Sequence, residues 1–135
     1  MPNKVFEYPL QVRWSDSDRL GHVNNTRFTE YLQEARVHFL DECFGGGSSR
    51  GATVVRKLTV DFLQPILDDS GPLHIEVVVS RIGRTSFGVG HRVLDAAGAL
   101  CAEAEAVMVA FDLDSQNARP LADKEKAGLI EYVTT

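Results

Sequence analysis

The chain has 135 residues, 44% of them hydrophobic and 24% charged, which is typical of a single soluble globular domain spanning residues 1–135. Its formal net charge of −5 argues against a protein that coats nucleic acid, because such proteins present a basic face. Since no apolar run approaches the roughly 18 residues of a membrane span and residues 1–8 hold no signal-peptide core, we expect a cytoplasmic protein with free thiols at Cys43 and Cys101.

The first third of the chain predicts a strand over residues 6–14 and an amphipathic helix over residues 25–44. Apolar residues recur on one face of that helix with the helical period, at Phe28, Tyr31, Leu32, Ala35 and Phe39. About 20 residues of helix span on the order of 30 Å, which is enough to cross a small sheet. The glycine-rich residues 45–51 then predict a loop, either a slack connection or a flap over a pocket.

The remainder predicts four strands, which include residues 58–62, 75–79, 87–94 and 100–111, and a short helix near residues 124–133. The last of these strands carries mostly small residues on one face, at Ala102, Ala104, Ala106, Met108 and Ala110. The long helix can approach that face closely. Because short turns make consecutive strands antiparallel, the expected fold class is α+β, a five-stranded curved antiparallel sheet wrapped around one long central helix.

The loop before the long helix carries the residues with the clearest chemical meaning. It reads Asp16-Ser17-Asp18-Arg19-Leu20-Gly21-His22-Val23-Asn24-Asn25. A helix start presents unpaired N–H groups and partial positive charge. A carboxylate beside those donors can attack a carbonyl, or activate water to attack it, while the donors hold the carbonyl oxygen.

This loop resembles the corresponding loop of the 4-hydroxybenzoyl-CoA thioesterase-like branch of the hotdog-fold acyl-CoA thioesterases. The resemblance extends over residues 8–111 and includes further matching residues at Tyr31, Glu34, Ala35, Arg36, Arg84, Thr85, Ser86 and Phe87. It implies a hotdog fold and hydrolysis of an acyl-CoA to a free acid and coenzyme A. It also implies that Asp18 is the catalytic carboxylate, that the Asn25 N–H contacts the thioester carbonyl, and that the active site lies at the interface of a homodimer or homotetramer.

Two interpretations stand side by side for each carboxylate of the loop. Asp18 either caps a turn or acts in catalysis, as a nucleophile that forms an anhydride or as a base that deprotonates water. Asp16 either points the same way as Asp18, if the strand pleat persists, or is a helper that hydrogen-bonds the loop backbone, which is the expected role. On the helix, Glu34 is either a second active-site carboxylate or a partly buried partner of an arginine.

The other polar residues of the loop also admit two roles. His22 either serves as a structural donor or orients water or Asp18. Asn24 and Asn25 are both good helix N-caps, and their backbone N–H groups are the predicted oxyanion hole. Asn24 could also hold the carbonyl or the attacking water through its side-chain amide.

Because coenzyme A carries phosphates, the resemblance also predicts a basic cluster, for which Arg81, Arg84, Thr85 and Ser86 are the best candidates. The alternative is a solvated turn. The four histidines lack metal-ligand spacing, so neither a metal nor a cofactor is expected beyond coenzyme A as part of the substrate.

Three other functions remain open for such a chain. It could hydrolyse acyl groups carried on acyl carrier protein, although docking that acidic protein requires a basic surface and the net charge here is negative. It could bind an acyl-CoA without turnover, as a regulatory module. A dehydratase of related fold is the third, but the histidine-bearing hydratase signature is not evident in the sequence.

Overall fold

The computed structural model describes residues 3–45, 52–67 and 71–134. In chain order the elements are β1 (Phe6–Leu10), a 3-10 turn (Trp14–Asp16), α1 (Asn25–Cys43), β2 (Thr53–Phe62), β3 (Leu73–Ile82), β4 (Ser86–Leu94), β5 (Leu100–Asp112), β6 (Asn117–Ala118) and α2 (Asp123–Ile130). Neither helix of this described part is long and apolar enough to cross a membrane.

Five long antiparallel strands form the sheet in the order β1-β3-β4-β5-β2. The two-residue strand β6 adds a short pairing to the end of β5. The predicted α+β fold, a five-stranded antiparallel sheet with one long helix packed against it, is therefore confirmed, with β6 as a small addition. Strands β1 and β2 form the two edges.

Helix α1 packs on the sheet through the stripe that its periodicity predicts. The five residues of that stripe are each at most 3% exposed. The small-residue face of β5 is buried as well. The strands that the α1 backbone approaches most closely are however β3 and β1, so the predicted close approach of the helix to the small-residue face of β5 is not what positions the helix. Since complete burial of one large apolar side chain contributes about 1.5–3 kcal/mol, this seam fixes the position of α1 and therefore of its N-terminus.

The chain departs from the predicted first strand after Leu10. Leu10 pairs with Leu73, the first residue of β3, so β1 has no partner backbone beyond it. The chain turns inward instead, with the Asp16 N–H bonded to the Arg13 carbonyl in a 3-10 turn. The prediction that the strand continues to residue 14 is therefore wrong.

Two other expectations concern the connections. Helix α2 ends at Ile130, and Val133 instead pairs with Val79 of β3, so the closing helix is shorter at its end than the pattern predicts. Of the predicted glycine-rich loop, residues 46–51 lie outside the described residues. Its first residue, Gly45, follows α1 with a φ of 76°.

Candidate active site

The loop before α1 is folded as a small hairpin. The Asp18 N–H donates to the His22 carbonyl at 2.6 Å, and the Asn24 N–H donates to the Asp16 carbonyl at 2.9 Å. Gly21, at the tip, has a φ of 78°, a left-handed conformation that favours glycine. The second arm of this hairpin leads directly into α1, so the hairpin and the helix start form one structural unit.

A third segment pairs with the hairpin and completes the wall of a cavity. The Val23 N–H donates to the Ile66 carbonyl at 2.7 Å, and His22 pairs with Leu67. The residues after β2 are thereby drawn against the loop. This pairing joins two parts of the chain that are more than 40 residues apart in sequence.

The resulting cavity, which we call the Asp18 cavity, has a volume of about 390 Å³. Its polar lining consists of Asp18, His22, Asn25 and Gln64. Its apolar lining consists of Val23, Phe28, Phe62, Leu63, Pro65 and Ile66. The rings of Phe28 and Phe62 meet edge to face with centroids 5.3 Å apart. A reactive polar group and an apolar surface thus share one space, as a site for an acyl group requires.

The Asp18 carboxylate caps the turn of the hairpin, and Asp18 also lines the cavity. Its Oδ1 accepts the N–H groups of Leu20 at 2.8 Å and His22 at 3.2 Å, so it caps the turn. Its Oδ2 accepts no hydrogen bond from the described residues. Because Asp18 is exposed and lines the cavity, one carboxylate oxygen orients the group while the other remains available for chemistry.

The two asparagines at the start of α1 are placed differently. Asn24 is the N-cap, and its Oδ1 accepts the backbone N–H of Thr26 at 2.9 Å and the Thr26 hydroxyl at 2.7 Å. Its own N–H is already bonded to Asp16. The Asn25 N–H has no acceptor among the described residues. Of the two predicted donors, Asn25 lines the Asp18 cavity, and Asn24 does not.

Asn24 instead lines a second cavity on the other side of the loop, which we call the Arg27 cavity. It has a volume of about 420 Å³ and is lined entirely by polar and charged residues, namely Ser15, Asp16, Ser17, Asn24, Thr26, Arg27 and Glu30. The hairpin and the start of α1 therefore separate an amphipathic cavity from a wholly polar one.

The Asp16 side chain has hydrogen-bond partners that the sequence did not indicate. Its carboxylate accepts the Tyr31 hydroxyl at 2.5 Å and the Arg13 Nε–H at 2.9 Å. The expected role of its side chain, a hydrogen bond to the loop backbone, is therefore corrected: its partners are side chains. Burial opposes ionisation of Asp16, but these two hydrogen bonds, together with the positive charges of Arg13 and Arg27, outweigh it and lower the pKa.

The hydrogen bond from the Tyr31 hydroxyl to Asp16 is the feature of this site that sequence reasoning missed. Tyr31 belongs to the predicted apolar stripe, and its polar tip requires a buried partner. Burial and the hydrogen bond to Asp16 raise its pKa to about 12, so it stays protonated and donates. A tyrosine on an apolar stripe beside a loop carboxylate is the signal that could have revealed the pair.

Glu34, the helix carboxylate that the sequence singled out, does not line the Asp18 cavity. Glu34 is half-buried and accepts the Tyr8 hydroxyl at 2.7 Å. No salt bridge joins it to an arginine among the described residues, although its charge contributes to raising the pKa of Arg13. Its contact with Tyr8 joins α1 to strand β1.

The predicted phosphate cluster lies far from the Asp18 cavity within one chain. Ser86, whose Oγ accepts Arg81 Nη1 at 3.3 Å, pairs with Val109 of β5. Phe62, in the cavity wall, is opposite Ala102 of the same strand. Val109 and Ala102 are seven residues apart along β5, or about 23 Å. The structure thus does not bring the basic turn and Asp18 together within a protomer.

Comparison with known proteins places the chain in a family. The model of the thioesterase-like superfamily matches residues 12–129, which include the hairpin, α1 and the whole sheet except β1. The chain belongs to the thioesterase-like superfamily. Acyl-CoA thioester hydrolase YbgC of Escherichia coli O6:H1, a curated relative, is 30% identical over 119 residues, covering 83% of this chain and 86% of that protein.

Solved structures agree on the hotdog fold of this thioesterase-like chain. A predicted thioesterase from Bacillus stearothermophilus superposes with a TM-score of 0.88 at 24% identity, over 97% of this chain and 98% of that one. A thioesterase from Thermus thermophilus, complexed with coenzyme A and Zn, gives 0.80 at 27% identity, over 94% and 98%. In the described residues of this chain, no three His, Cys, Asp or Glu side chains are grouped closely enough to hold a metal ion.

Proposed function

We propose that this chain is an acyl-CoA thioesterase, which hydrolyses the thioester of an acyl-CoA to a free carboxylic acid and coenzyme A. The observation that carries the proposal is that Asp18 and Asn25, the first residue of α1, line the same partly apolar cavity. Membership of the thioesterase-like superfamily and the similarity to an acyl-CoA thioester hydrolase support it.

In the proposed reaction, the thioester carbonyl lies between Asp18 and the start of α1. The carbonyl oxygen accepts the Asn25 N–H, where the helix dipole stabilises the negative charge that develops. Asp18 takes a proton from a water molecule as that water attacks the carbonyl carbon, with His22 orienting the water. The C–S bond then breaks, and the proton passes to the departing sulfur. A thioester is an activated acyl group, so orientation and charge stabilisation suffice.

A covalent route uses the same groups in another order. Asp18 itself attacks the carbonyl carbon and the C–S bond breaks, so that coenzyme A leaves as the thiolate. Water then cleaves the resulting anhydride, which releases the acid, regenerates the Asp18 carboxylate and supplies the proton that the thiolate takes up. In both routes the acyl chain lies against the apolar lining of the Asp18 cavity, where Val23, Phe28 and Ile66 are each at most 7% exposed.

The proposed assembly is a homodimer or homotetramer in which a second chain completes the site. Strand β2 is an edge of the sheet, and edge strands readily pair with another chain. Several large apolar residues on and just after it are exposed, namely Val54, Val55, Phe62 and Leu63. An antiparallel pairing of two β2 strands would place the start of one beside the end of the other.

This pairing would bring the basic turn of one chain to the cavity of the other. Thr53, at the start of β2, is opposite Ala110 and so lies at the same end of the sheet as Ser86 and the turn that holds Arg84. Phe62, at the other end of β2, lines the Asp18 cavity. In the proposed dimer, the phosphates of coenzyme A therefore contact Arg81, Arg84, Thr85 and Ser86 of the second chain.

We further propose that the enzyme acts in the cytoplasm. Cys43 and Cys101 are both buried and are free thiols, which supports a reducing compartment. Burial raises the pKa of the Cys43 thiol to about 12, so it is a poor nucleophile, and neither cysteine lines the Asp18 cavity.

The decisive experiment measures thiol release from a panel of acyl-CoAs, short, long and aromatic, by the protein and two matched variants. Asp18→Asn removes the proposed catalytic carboxylate. Asp95→Asn is the control, because Asp95 Oδ1 caps a turn in the same way, accepting the N–H groups of Ala97 at 3.0 Å and Ala99 at 2.9 Å. Asp18→Asn is expected to lower kcat by about 100-fold or more, and Asp95→Asn to leave kcat unchanged.

The same assay separates the other candidate functions. Similar turnover by Asp18→Asn and by the unaltered protein would contradict the assignment of Asp18. Faster release from acyl carrier protein than from coenzyme A would favour the carrier-protein thioesterase. Tight, stoichiometric binding of an acyl-CoA with no release of thiol would favour a binding module.

A further inference from the structure

Asp16 is a carboxylate enclosed beneath the active-site hairpin. It is 5% exposed, and Tyr31, which donates to its Oδ2, is 1% exposed. Arg13 also donates to Oδ2, and its guanidinium lies over the Tyr31 ring, 5.7 Å from the centroid. The Nε of Arg27 lies 3.9 Å from Oδ1. Because an unpaired buried charge is costly, these partners are what allow a carboxylate to occupy this position.

The backbone of Asp16 is hydrogen-bonded to the start of α1, just as its side chain is hydrogen-bonded to the body of that helix. The Asp16 carbonyl accepts the N–H of Asn24, the N-cap. Two residues further on, the Asp18 N–H donates to the His22 carbonyl. One residue therefore connects the second turn of α1, through Tyr31, to both the N-cap and the arm of the hairpin that carries Asp18.

Neither member of this pair lines the Asp18 cavity. Asp16 lines the Arg27 cavity on the opposite side of the loop, and Tyr31 is enclosed in the seam between α1 and the sheet. Any effect of the pair on the reaction must therefore pass through the position of the hairpin.

We propose that Asp16 and Tyr31 are positioning residues of the thioesterase, whose hydrogen bond holds the Asp18 hairpin in register with the first turn of α1. The inference rests on the proposed function, since it assigns a role in that reaction. A reacting carboxylate and an oxyanion donor act together when both face one carbonyl, and a displacement of about 1 Å can cost on the order of 100-fold in rate.

The test compares Tyr31→Phe with Tyr132→Phe. Tyr132 is also buried, at 6% exposed, and its hydroxyl donates to Glu42 at 2.7 Å near the other end of α1. Each substitution removes one buried tyrosine–carboxylate hydrogen bond and keeps the ring. Tyr31→Phe is expected to lower kcat by about 10- to 100-fold with KM within about twofold, because transition-state geometry and not substrate binding is lost. Tyr132→Phe is expected to keep both values within about twofold.

Asp16→Asn is the second variant. Asp16→Asn is expected to lower kcat, as Tyr31→Phe does. The Asp16→Asn, Tyr31→Phe double variant is expected to lose no more kcat than the worse of the two single variants, because the two groups act as one unit. If Tyr31→Phe fails to fold, Asp16→Asn gives the same comparison against Glu42→Gln. An unchanged kcat in Tyr31→Phe, or an equal loss in Tyr132→Phe, overturns the proposal.

Amide hydrogen exchange separates this inference from the proposed function. If the unaltered protein releases no thiol from any acyl-CoA, the proposed function fails, and exchange alone decides the positioning role. Faster exchange across residues 16–26 in Tyr31→Phe but not in Tyr132→Phe supports it. Equal exchange in the two variants overturns it.

Discussion

Asn24 and Asn25 are neighbours in the chain, yet the peptide between them separates two cavities. Asn24 turns its side chain to the cap of α1 and lines the Arg27 cavity, while Asn25 lines the Asp18 cavity. This division follows from cap geometry, because an N-cap side chain folds back over the first turn to accept a backbone N–H. In the proposed mechanism, Asn24 therefore shapes the oxyanion hole through the helix cap and does not contact the substrate.

A substitution series at Asn24 tests that division. Asn24→Ala removes the acceptor of the Thr26 N–H and is expected to lower the free energy of unfolding by about 1 kcal/mol. Asn24→Ser keeps a capping oxygen and loses the side-chain amide, so it is expected to retain both stability and kcat. Urea denaturation and thiol release measure the two effects. A large loss of kcat in a stable Asn24→Ser would show that the amide itself contacts the thioester or the water.

At the residue scale, the sequence predicts what is local. Asp18 and Asn25 could be named as candidates from the resemblance, and their place on one cavity could be expected because the turn between them and the helix start are encoded within about ten residues. The bond between Asp16 and Tyr31 could not, since it depends on which face of α1 meets the loop. Periodicity assigns Tyr31 to the core but does not name the partner of its hydroxyl.

At the scale of elements, the seam between α1 and the sheet contains one pair of basic groups. Arg36 of α1 and His91 of β4 are 4% and 2% exposed. Arg36 Nη1 lies 3.4 Å from His91 Nε2, and His91 Nδ1 lies 3.4 Å from the Ala104 carbonyl. Burial, and secondarily the charge of Arg36, lower the His91 pKa to about 4, so the imidazole is neutral in the folded protein at neutral pH.

This pair predicts a stability that depends on pH. Because the pKa of His91 is lower in the folded chain than the 6.5 of an ordinary histidine, the unfolded chain binds the proton more readily. The full contribution is present above about pH 6.5 and is lost as the pH falls towards 4, a difference of about 3 kcal/mol. Urea denaturation between pH 4 and 7 measures it. The same slope in His91→Gln would show that other groups cause the dependence.

At the scale of elements, the positions at which strands end could not be predicted from the sequence. Hydrophobic periodicity predicts α1 because its apolar stripe contains five residues at the helical spacing. The end of β1 is not predicted in this way, because β1 ends where β3 supplies no further partner strand. A strand pattern in residues 11–14 cannot report that its neighbour is missing. For the same reason, the pairing of residues 22–23 with 66–67, which forms a wall of the cavity, has no local signature.

At the scale of the whole molecule, the most informative feature is the spacing along β5 between the cavity wall and the basic turn. It follows from the strand pairing and could not be read from the sequence, which assigns no position to the turn relative to the loop. A site that needs both parts requires either a bound molecule that reaches about 23 Å along the sheet or a second chain. The exposed apolar residues on and after β2 favour the second chain.

Mixing two defective variants distinguishes these arrangements. Arg84→Gln removes a predicted phosphate contact and is expected to raise KM for acyl-CoA while kcat is kept, because the thioester chemistry is untouched. Asp18→Asn has an intact basic turn and an inactive cavity. If each site combines Asp18 of one chain with Arg84 of the other, a heterodimer contains one fully intact site.

Refolding the two variants together in equal amounts is therefore expected to restore about a quarter of the unaltered activity at low substrate concentration, since half of the randomly formed dimers carry one intact site each. Thiol release at substrate concentrations well below the KM of Arg84→Gln measures the recovery, and size-exclusion chromatography verifies that dimers form. If Asp18 and Arg84 served the same site from one chain, no mixed dimer would contain an intact site. The mixture would then show no more than the average of the two separate variants.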